Sequence, residues 1–197
     1  MLRKLVNVLF LDIPQERVGV LIGRNGEIKK ELEEKMGVKI HVESDGLVKV
    51  EYSAENPEVY FKLKKVSDAI SCGFSGEDAL KLLDDAVALK KIDLRDFASE
   101  SSQRMKTLKG RIIGRDGKVW RRIEKLADVK IAIYKYNVGI IGNEENCEIA
   151  FRTILKILEG AQFSTVFRYL ENKRKELEKG IWVERSELTE DESGGEV

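Results

Sequence analysis

Val20-Leu21-Ile22-Gly23-Arg24-Asn25-Gly26-Glu27-Ile28-Lys29-Lys30-Glu31-Leu32-Glu33 recurs 91 residues later as Arg111-Ile112-Ile113-Gly114-Arg115-Asp116-Gly117-Lys118-Val119-Trp120-Arg121-Arg122-Ile123-Glu124. The pattern Ile-Gly-Arg-x-Gly is identical in both copies, and the pairs Ile28/Val119 and Leu32/Ile123 keep the apolar spacing of a helix. The match runs on into alternating segments: Val38, Ile40 and Val42 answer to Val129, Ile131 and Ile133. Val48 and Val50 answer to Val138 and Ile140 after a one-residue deletion in the turn. Such alternation marks strands with one buried face. A helical segment follows each time, from Pro57 and from Glu144. Each unit therefore reads strand, short helix, Gly-x-x-Gly turn, helix, strand, strand, helix. A repeat of this length sets the fold class: α+β, built twice.

Outward from the repeat, the boundaries follow. The first unit spans 5–74 and the second 91–160. Residues 75–90 form a connector, opened by Ser75-Gly76-Glu77-Asp78, which resembles a capping box. Ala79, Leu80, Leu82, Leu83, Ala86 and Val87 then predict an apolar helix face that packs between the units and fixes their orientation. Phe163, Val166, Phe167, Leu170 and Leu177 predict an amphipathic C-terminal helix over 161–180. The tail 181–197, with six acids from Glu184 onward against Arg185, is expected to be disordered.

Glycines at a turn permit positive φ and let a ligand approach without a Cβ in the way. The helix that follows aims free N–H groups at the turn, which suits a phosphate. Arg24 and Arg115 add a charged donor inside each turn. Together with the flanking stretch Ile13-Pro14 and the later Gly37-Val38-Lys39-Ile40, this pattern resembles a type I KH domain, and the second unit resembles one too. The resemblance implies two three-stranded antiparallel sheets, each packed by three helices, and a GXXG loop clamping about four unstacked nucleotides. Gly139-Ile140-Ile141-Gly142 also fits Gly-x-x-Gly, but it follows a strand and carries no base, so it reads as a strand end.

Local charge separates the two copies. The chain of 197 residues carries 35 Lys+Arg and 35 Asp+Glu, so its formal net charge is zero, which excludes a globally basic nucleic-acid binder. Charged residues reach 36%, above the roughly 25% of an average protein, a composition that hints at a thermophile surface. Between 104 and 122 lie Arg104, Lys106, Lys109, Arg111, Arg115, Lys118, Arg121 and Arg122, against the single acid Asp116. The matching window, 13–31, holds Arg17, Arg24, Lys29 and Lys30 against Glu16, Glu27 and Glu31. Phosphate neutralisation dominates sequence-independent affinity. The second unit is thus expected to bind RNA more strongly, through Lys109, Gly110, Arg111, Ile112, Ile113, Gly114, Arg115, Asp116, Gly117, Lys118, Arg121, Arg122 and Ile131. Gly23, Arg24, Asn25 and Gly26 form the weaker or protein-facing copy. Asp116 is expected to turn its carboxylate from the RNA, Trp120 to sit at the core rim rather than stack on a base, and Tyr134 and Tyr136 to flank a solvated hairpin tip, with a partner contact as the alternative.

Other chemistry finds little support. Cys72 and Cys147 are too few for a disulfide scaffold or a thiolate metal site and read as buried thiols. His41, the sole histidine, falls on the polar face of its strand. No Walker loop or HExxH occurs, and no cofactor or metal is expected. Asp78 and the pair Asp84-Asp85 read as the solvent face of the connector rather than a two-metal nuclease site. The N-terminal apolar run is interrupted by Asn7 and ended by Asp12, so it reads as an edge strand rather than a signal peptide. No run of ~18 apolar residues occurs, and the protein is expected to be cytoplasmic.

Gly73-Phe74-Ser75-Gly76-Glu77-Asp78-Ala79, Ile92-Asp93-Leu94-Arg95-Asp96-Phe97 and Leu108–Lys118 carry a closer likeness. Over roughly 5–178 the chain resembles the partner-of-Nob family of ribosome assembly factors in an archaeal form. That resemblance implies binding of the 3′ region of small-subunit rRNA and cooperation with a Nob-type endonuclease. It places the clamp on Gly114, Arg115, Asp116 and Gly117 with Lys118 beside it. In eukaryotic members the first unit's turn looks degenerate, whereas Gly23-Arg24-Asn25-Gly26 is intact here. The small ribosomal subunit and a translation initiation factor are further candidate partners. Alternatives are a general KH regulator of messenger RNA or translation initiation, and a protein-binding scaffold that has lost RNA.

Overall fold

Pro14, with φ −53° and ψ 136°, stops the first strand and delays the first helix, so α1 (Val18–Ile22) is short. It follows β1 (Val6–Leu11) and precedes α2 (Glu27–Met36), β2 (Lys39–Val42), β3 (Val48–Ser53) and α3 (Glu58–Ser71). The structure, a computed structural model, describes residues 6–98 and 102–190. After α4 (Gly76–Leu80), the order repeats as β4 (Ala88–Asp93), α5 (Ser102–Ile113), α6 (Lys118–Ala127), β5 (Lys130–Tyr134), β6 (Asn137–Gly142) and α7 (Glu144–Leu158). With no proline before it, α5 runs to 12 residues where α1 has five. The C-terminal α8 spans Phe163–Glu190, which carries the helix past the boundary read at 180. The tail beyond it and the start of the first unit at residue 5 lie outside the described residues.

Both sheets are antiparallel, ordered β1-β3-β2 and β4-β6-β5, so β1 is an edge strand as its sequence suggested. Ile40 pairs with Val50 in one and Ile131 with Ile140 in the other, and the deletion falls in the hairpin turn between them. One face of each sheet packs on its own helices. Leu11, Leu21, Leu32, Ile40, Val50 and Leu63 centre the first core. Ile112, Ile123, Ile131, Val138, Ile140 and Ile154 centre the second. His41 is exposed beside buried Ile40, and both cysteines are buried and free. Among the described residues, no helix is long and apolar enough to cross a membrane.

The connector departs from expectation. Ser75 does cap α4, its Oγ accepting from the Asp78 N–H at 3.2 Å. The helix then ends after a tight turn at Lys81–Leu83. Asp84 adopts extended backbone and its side chain accepts from the Ala86 N–H at 2.9 Å, a local turn that outcompetes the helix. Ala79, Leu80 and Leu82 are buried, Ala86 is exposed, and β4 already begins at Ala88. Asp85 pairs with Lys62 at 3.0 Å and Asp78 with Lys81 at 2.6 Å.

The second sheet is buried on both faces. Val138 and Ile140 point into its own core, while Ile141 and Ala132 join the core of the first unit. Gly139 lies between them, where an added Cβ would sit 2.5 Å from the Phe74 ring and 2.8 Å from Cys72 Cβ. The Gly139–Gly142 segment is thus a strand end, as read, and its first glycine seats one unit on the other. Around this apolar joint lies a polar one. The Arg17 guanidinium donates to the carbonyls of Ile70 at 3.0 Å and Phe74 at 2.5 Å, and it lies 5.3 Å from the centre of the Tyr134 ring. The Tyr134 hydroxyl donates to Glu16 at 2.7 Å, and Lys135 pairs with the same carboxylate at 2.5 Å. Tyr134 is therefore an inter-unit contact rather than part of a solvated tip. Tyr136 is also engaged, with Arg95 stacked 3.9 Å above its ring. Sequence reasoning saw an apolar alternation here and had no means to tell that a second face was covered.

Candidate nucleic-acid interface

The two Gly-x-x-Gly turns have the same backbone. Gly23 and Gly114 sit at φ 74° and 71°, Asn25 and Asp116 at 51° and 54°, Gly26 and Gly117 at 82° and 73°. Glycine is required at the first position by space as well as φ. A Cβ on Gly23 would lie 2.5 Å from Ile28, and one on Gly114 would lie 2.4 Å from Val119. The helix after each turn packs directly beneath it, which holds its first N–H groups near the loop. Each unit then ties that helix to the groove strand by the same bond. Glu33 accepts from the Ile40 N–H at 2.7 Å, and Glu124 from the Ile131 N–H at 2.8 Å. The two glutamates occupy equal positions in the repeat, a signal visible in the sequence but legible as a buttress only in the structure.

Around the second turn the residues singled out from sequence divide by role. Arg115, Asp116 and Lys118 are exposed at the loop, with Gly110 exposed and Lys109 and Ile113 half-buried on α5. Among the described residues, Arg104, Lys106, Lys109, Arg115 and Lys118 form no ion pair. Arg121 bends back on the loop, donating to the carbonyls of Asp116 and, at 3.3 Å, of Gly117. Arg111 turns to the α7–α8 connection and donates to the Ala161 carbonyl at 3.2 Å. Arg122 pairs with Glu171 of α8 at 2.8 Å and covers the Phe167 ring at 4.1 Å. Ile112 and Ile131, 0% and 4% exposed, support the loop from inside the core. Trp120 is half-buried against that core, at its rim as read.

The first turn faces different surroundings. It borders a cleft of about 540 Å³ that includes Arg17, Gly19, Gly23, Arg24, Glu27, Gly73, Gly76 and Glu77. The connector closes one side, because a Cβ on Gly76 would lie 2.7 Å from Ile28 and 3.0 Å from the Val20 carbonyl. Glu27 accepts from the Arg24 backbone N–H at 3.3 Å. Glu77 is held below the usual carboxylate range by its own backbone N–H and Ser75, with a smaller contribution from the charge of Arg24. Lys30, which holds the place of Arg121, pairs with Glu34 rather than with the loop. Two carboxylates, Glu27 and Glu77, thus stand beside Arg24 at the first turn, whereas the second turn has the one carboxylate Asp116 beside the exposed Arg115 and Lys118.

Fold and loops together define a tandem KH protein, a class that grips single-stranded nucleic acid. Comparison with known proteins narrows this. Residues 88–175 match a model described as a eukaryotic-type, type I KH domain, the second of PNO1, and residues 8–60 match the general KH domain. A KH domain-containing protein of Methanocaldococcus jannaschii is 36% identical over 93% of this chain and 83% of its own length. The RNA-binding protein pno1 of Drosophila pseudoobscura is 26% identical, over 61% of this chain, and the match spans about half (52%) of that longer protein. Among solved structures, an Aeropyrum pernix protein of unknown function superposes with a TM-score of 0.85 at 33% identity, over 93% of this chain and 99% of that one. A chain of the a/eIF2α–aDim2p–rRNA complex of Pyrococcus horikoshii superposes with a TM-score of 0.77 at 34% identity, over 88% and 97%. The chain belongs to the archaeal branch of the PNO1 family of KH-domain ribosome assembly factors.

Proposed function

We propose that this protein is a non-catalytic RNA-binding factor of small-subunit rRNA processing, which clamps the 3′ region of that rRNA in the loop of its second unit. One observation carries the reading: Arg115 and Lys118 stand exposed at the Gly114–Gly117 loop and, with Lys109 on the α5 helix that leads into it, form no ion pair among the described residues. The presence of rRNA in the complex of the Pyrococcus relative supports the same ligand. In this reading the loop backbone and Arg115 take a phosphate, Lys109 and Lys118 neutralise its neighbours, and Ile113 and Val119 face the bases. Arg121 acts from behind, holding the loop carbonyls so that its N–H groups stay aimed outward. Arg24, with Glu27 and Glu77 beside it, has a weaker attraction for phosphate. A clamp that binds without cutting would present the RNA end to a Nob-type endonuclease or shield it from one. It would do so in the cytoplasm, on the small ribosomal subunit, with an initiation factor as a further partner.

The test is a fluorescence-anisotropy titration of the full chain. It uses a single-stranded RNA matching the 3′ end of small-subunit rRNA and a scrambled control. Tighter binding of the matched RNA by about tenfold or more is the expected result. Equal binding of both would favour a general KH regulator of messenger RNA or translation initiation.

A further inference from the structure

The internal repeat runs past the two KH units into the helix that follows each. After α3 the Gly73 N–H donates to the Ile70 carbonyl at 3.0 Å and the Ala79 N–H to that of Ser75 at 3.0 Å. After α7 the same bonds recur 87 residues later, from Gly160 to Ile157 at 3.2 Å and from Val166 to Gln162 at 3.1 Å. Gly73 and Gly160 share a left-handed backbone, φ 106° and 100°. The start of α8 is therefore the counterpart of α4, and Phe163 and Ser164 stand where the first unit has Gly76 and Glu77.

Gly76 and Glu77 border the cleft beside Arg24 and Glu27. At the matching corner of the second unit, Lys118 replaces Glu27 and Ser164 replaces Glu77, so both carboxylates are gone. Arg168, one turn beyond Ser164, is exposed and forms no ion pair among the described residues, whereas its counterpart Lys81 is paired with Asp78 at 2.6 Å. This corner lies across the loop helix from the groove strand. On α6, Glu124 bonds to β5, while Arg122 turns the other way to Glu171 and Phe167 of α8. Phe163, where the first unit has a glycine, is 39% exposed. Its ring stacks on Phe167, 6.5 Å between centres and 26° between planes, and Arg122 covers Phe167 at 4.1 Å. An open ring steadied by a second ring and bordered by cations is the kind of surface on which single-strand binders stack a base.

We propose that the second unit holds a stacking site for one further RNA nucleotide on the α8 side of its loop, with the base on Phe163 and the phosphate near Lys118 and Arg168. Resting on the clamp proposed above, this site lengthens its footprint beyond the roughly four nucleotides of the loop. Every base has a face to stack, so the site adds affinity with little sequence preference. The first unit has no equivalent, because Gly76 offers no ring and Glu77 opposes a phosphate.

Isothermal titration calorimetry of the full chain at low salt tests this with two RNAs. One is a matched tetranucleotide that fills the loop alone, and the other is the same sequence extended by about three nucleotides at each end. Phe163→Leu keeps an apolar contact with Phe167 and removes the ring. It weakens the longer RNA by about fivefold or more and leaves the tetranucleotide unchanged, while Phe163→Trp binds the longer RNA at least as well as wild type. Wild-type affinity of Phe163→Leu for the longer RNA overturns the stacking site, as does an equal loss for both RNAs or an equal loss from Phe163→Trp. The clamp survives those results as long as Arg115→Asp weakens both RNAs. If Arg115→Asp weakens neither, the clamp itself is wrong and the stacking site falls with it.

Discussion

Asp116 is the one residue of the proposed clamp whose charge would oppose a phosphate. It occupies a left-handed position, φ 54°, that Asn25 fills at φ 51° in the first unit. Asn and Asp tolerate this region better than other side chains. Asp116→Asn therefore keeps the loop and removes a negative charge beside the phosphate. Affinity for single-stranded RNA rises about threefold, and thermal stability stays within ~0.5 kcal/mol of wild type. Titration and a melting curve read both. Gly114 is the opposite case, where nothing but glycine fits. Gly114→Ala would force a Cβ against Val119 at 2.4 Å and hold alanine at φ 71°. Strain of this kind costs about 1–3 kcal/mol. A lowered Tm with weakened RNA binding is the expected outcome.

At the scale of elements, what the sequence carried was periodicity. The doubled Ile-Gly-Arg-x-Gly motif, the strand alternation and the paired apolar spacings were enough to place the strands, both loops and the helices around them, while the KH resemblance supplied the antiparallel sheets. The connector was misread because Ala86 and Val87 continue a helical pattern that the Asp84 turn breaks. The β6 run could not reveal its second buried face, because an apolar strand reads alike whether it packs on one neighbour or two. Charge was legible as a sum and not as a direction. Of the eight bases counted near the second loop, Arg111, Arg121 and Arg122 are committed to protein acceptors. Gly139 gives this element-level account a test. Burial pushes the Cys72 thiol up to about 11, so it reacts slowly with thiol reagents at pH 8 in the native protein. Gly139→Val would drive side-chain atoms into Phe74 and open the joint. Labelling of Cys72 then accelerates, while Cys147, buried in the second core, stays slow.

At the scale of the molecule, the joint between units is partly electrostatic. Lys135 and the Tyr134 hydroxyl, in that order, hold the Glu16 carboxyl down at about 2, from an ordinary 4.5. A depressed carboxylate stabilises the fold fully above its ordinary pKa and loses that contribution as pH falls toward the depressed one. The Tm difference between wild type and Glu16→Gln is therefore present at pH 7 and vanishes between about pH 4.5 and 2. The contacts are exposed to solvent, so high salt shrinks the difference as well. With the joint closed, the two loops are carried on one body, with unequal charge around them.

One pair of substitutions isolates that inequality. Arg115→Asp and Arg24→Asp make the same change at the same loop position in the two units. Each is titrated against the matched RNA at low and moderate salt. Arg115→Asp is expected to weaken binding by about tenfold or more and flatten the salt dependence, while Arg24→Asp costs less than about threefold. Equal losses, or a larger loss from Arg24→Asp, would contradict it.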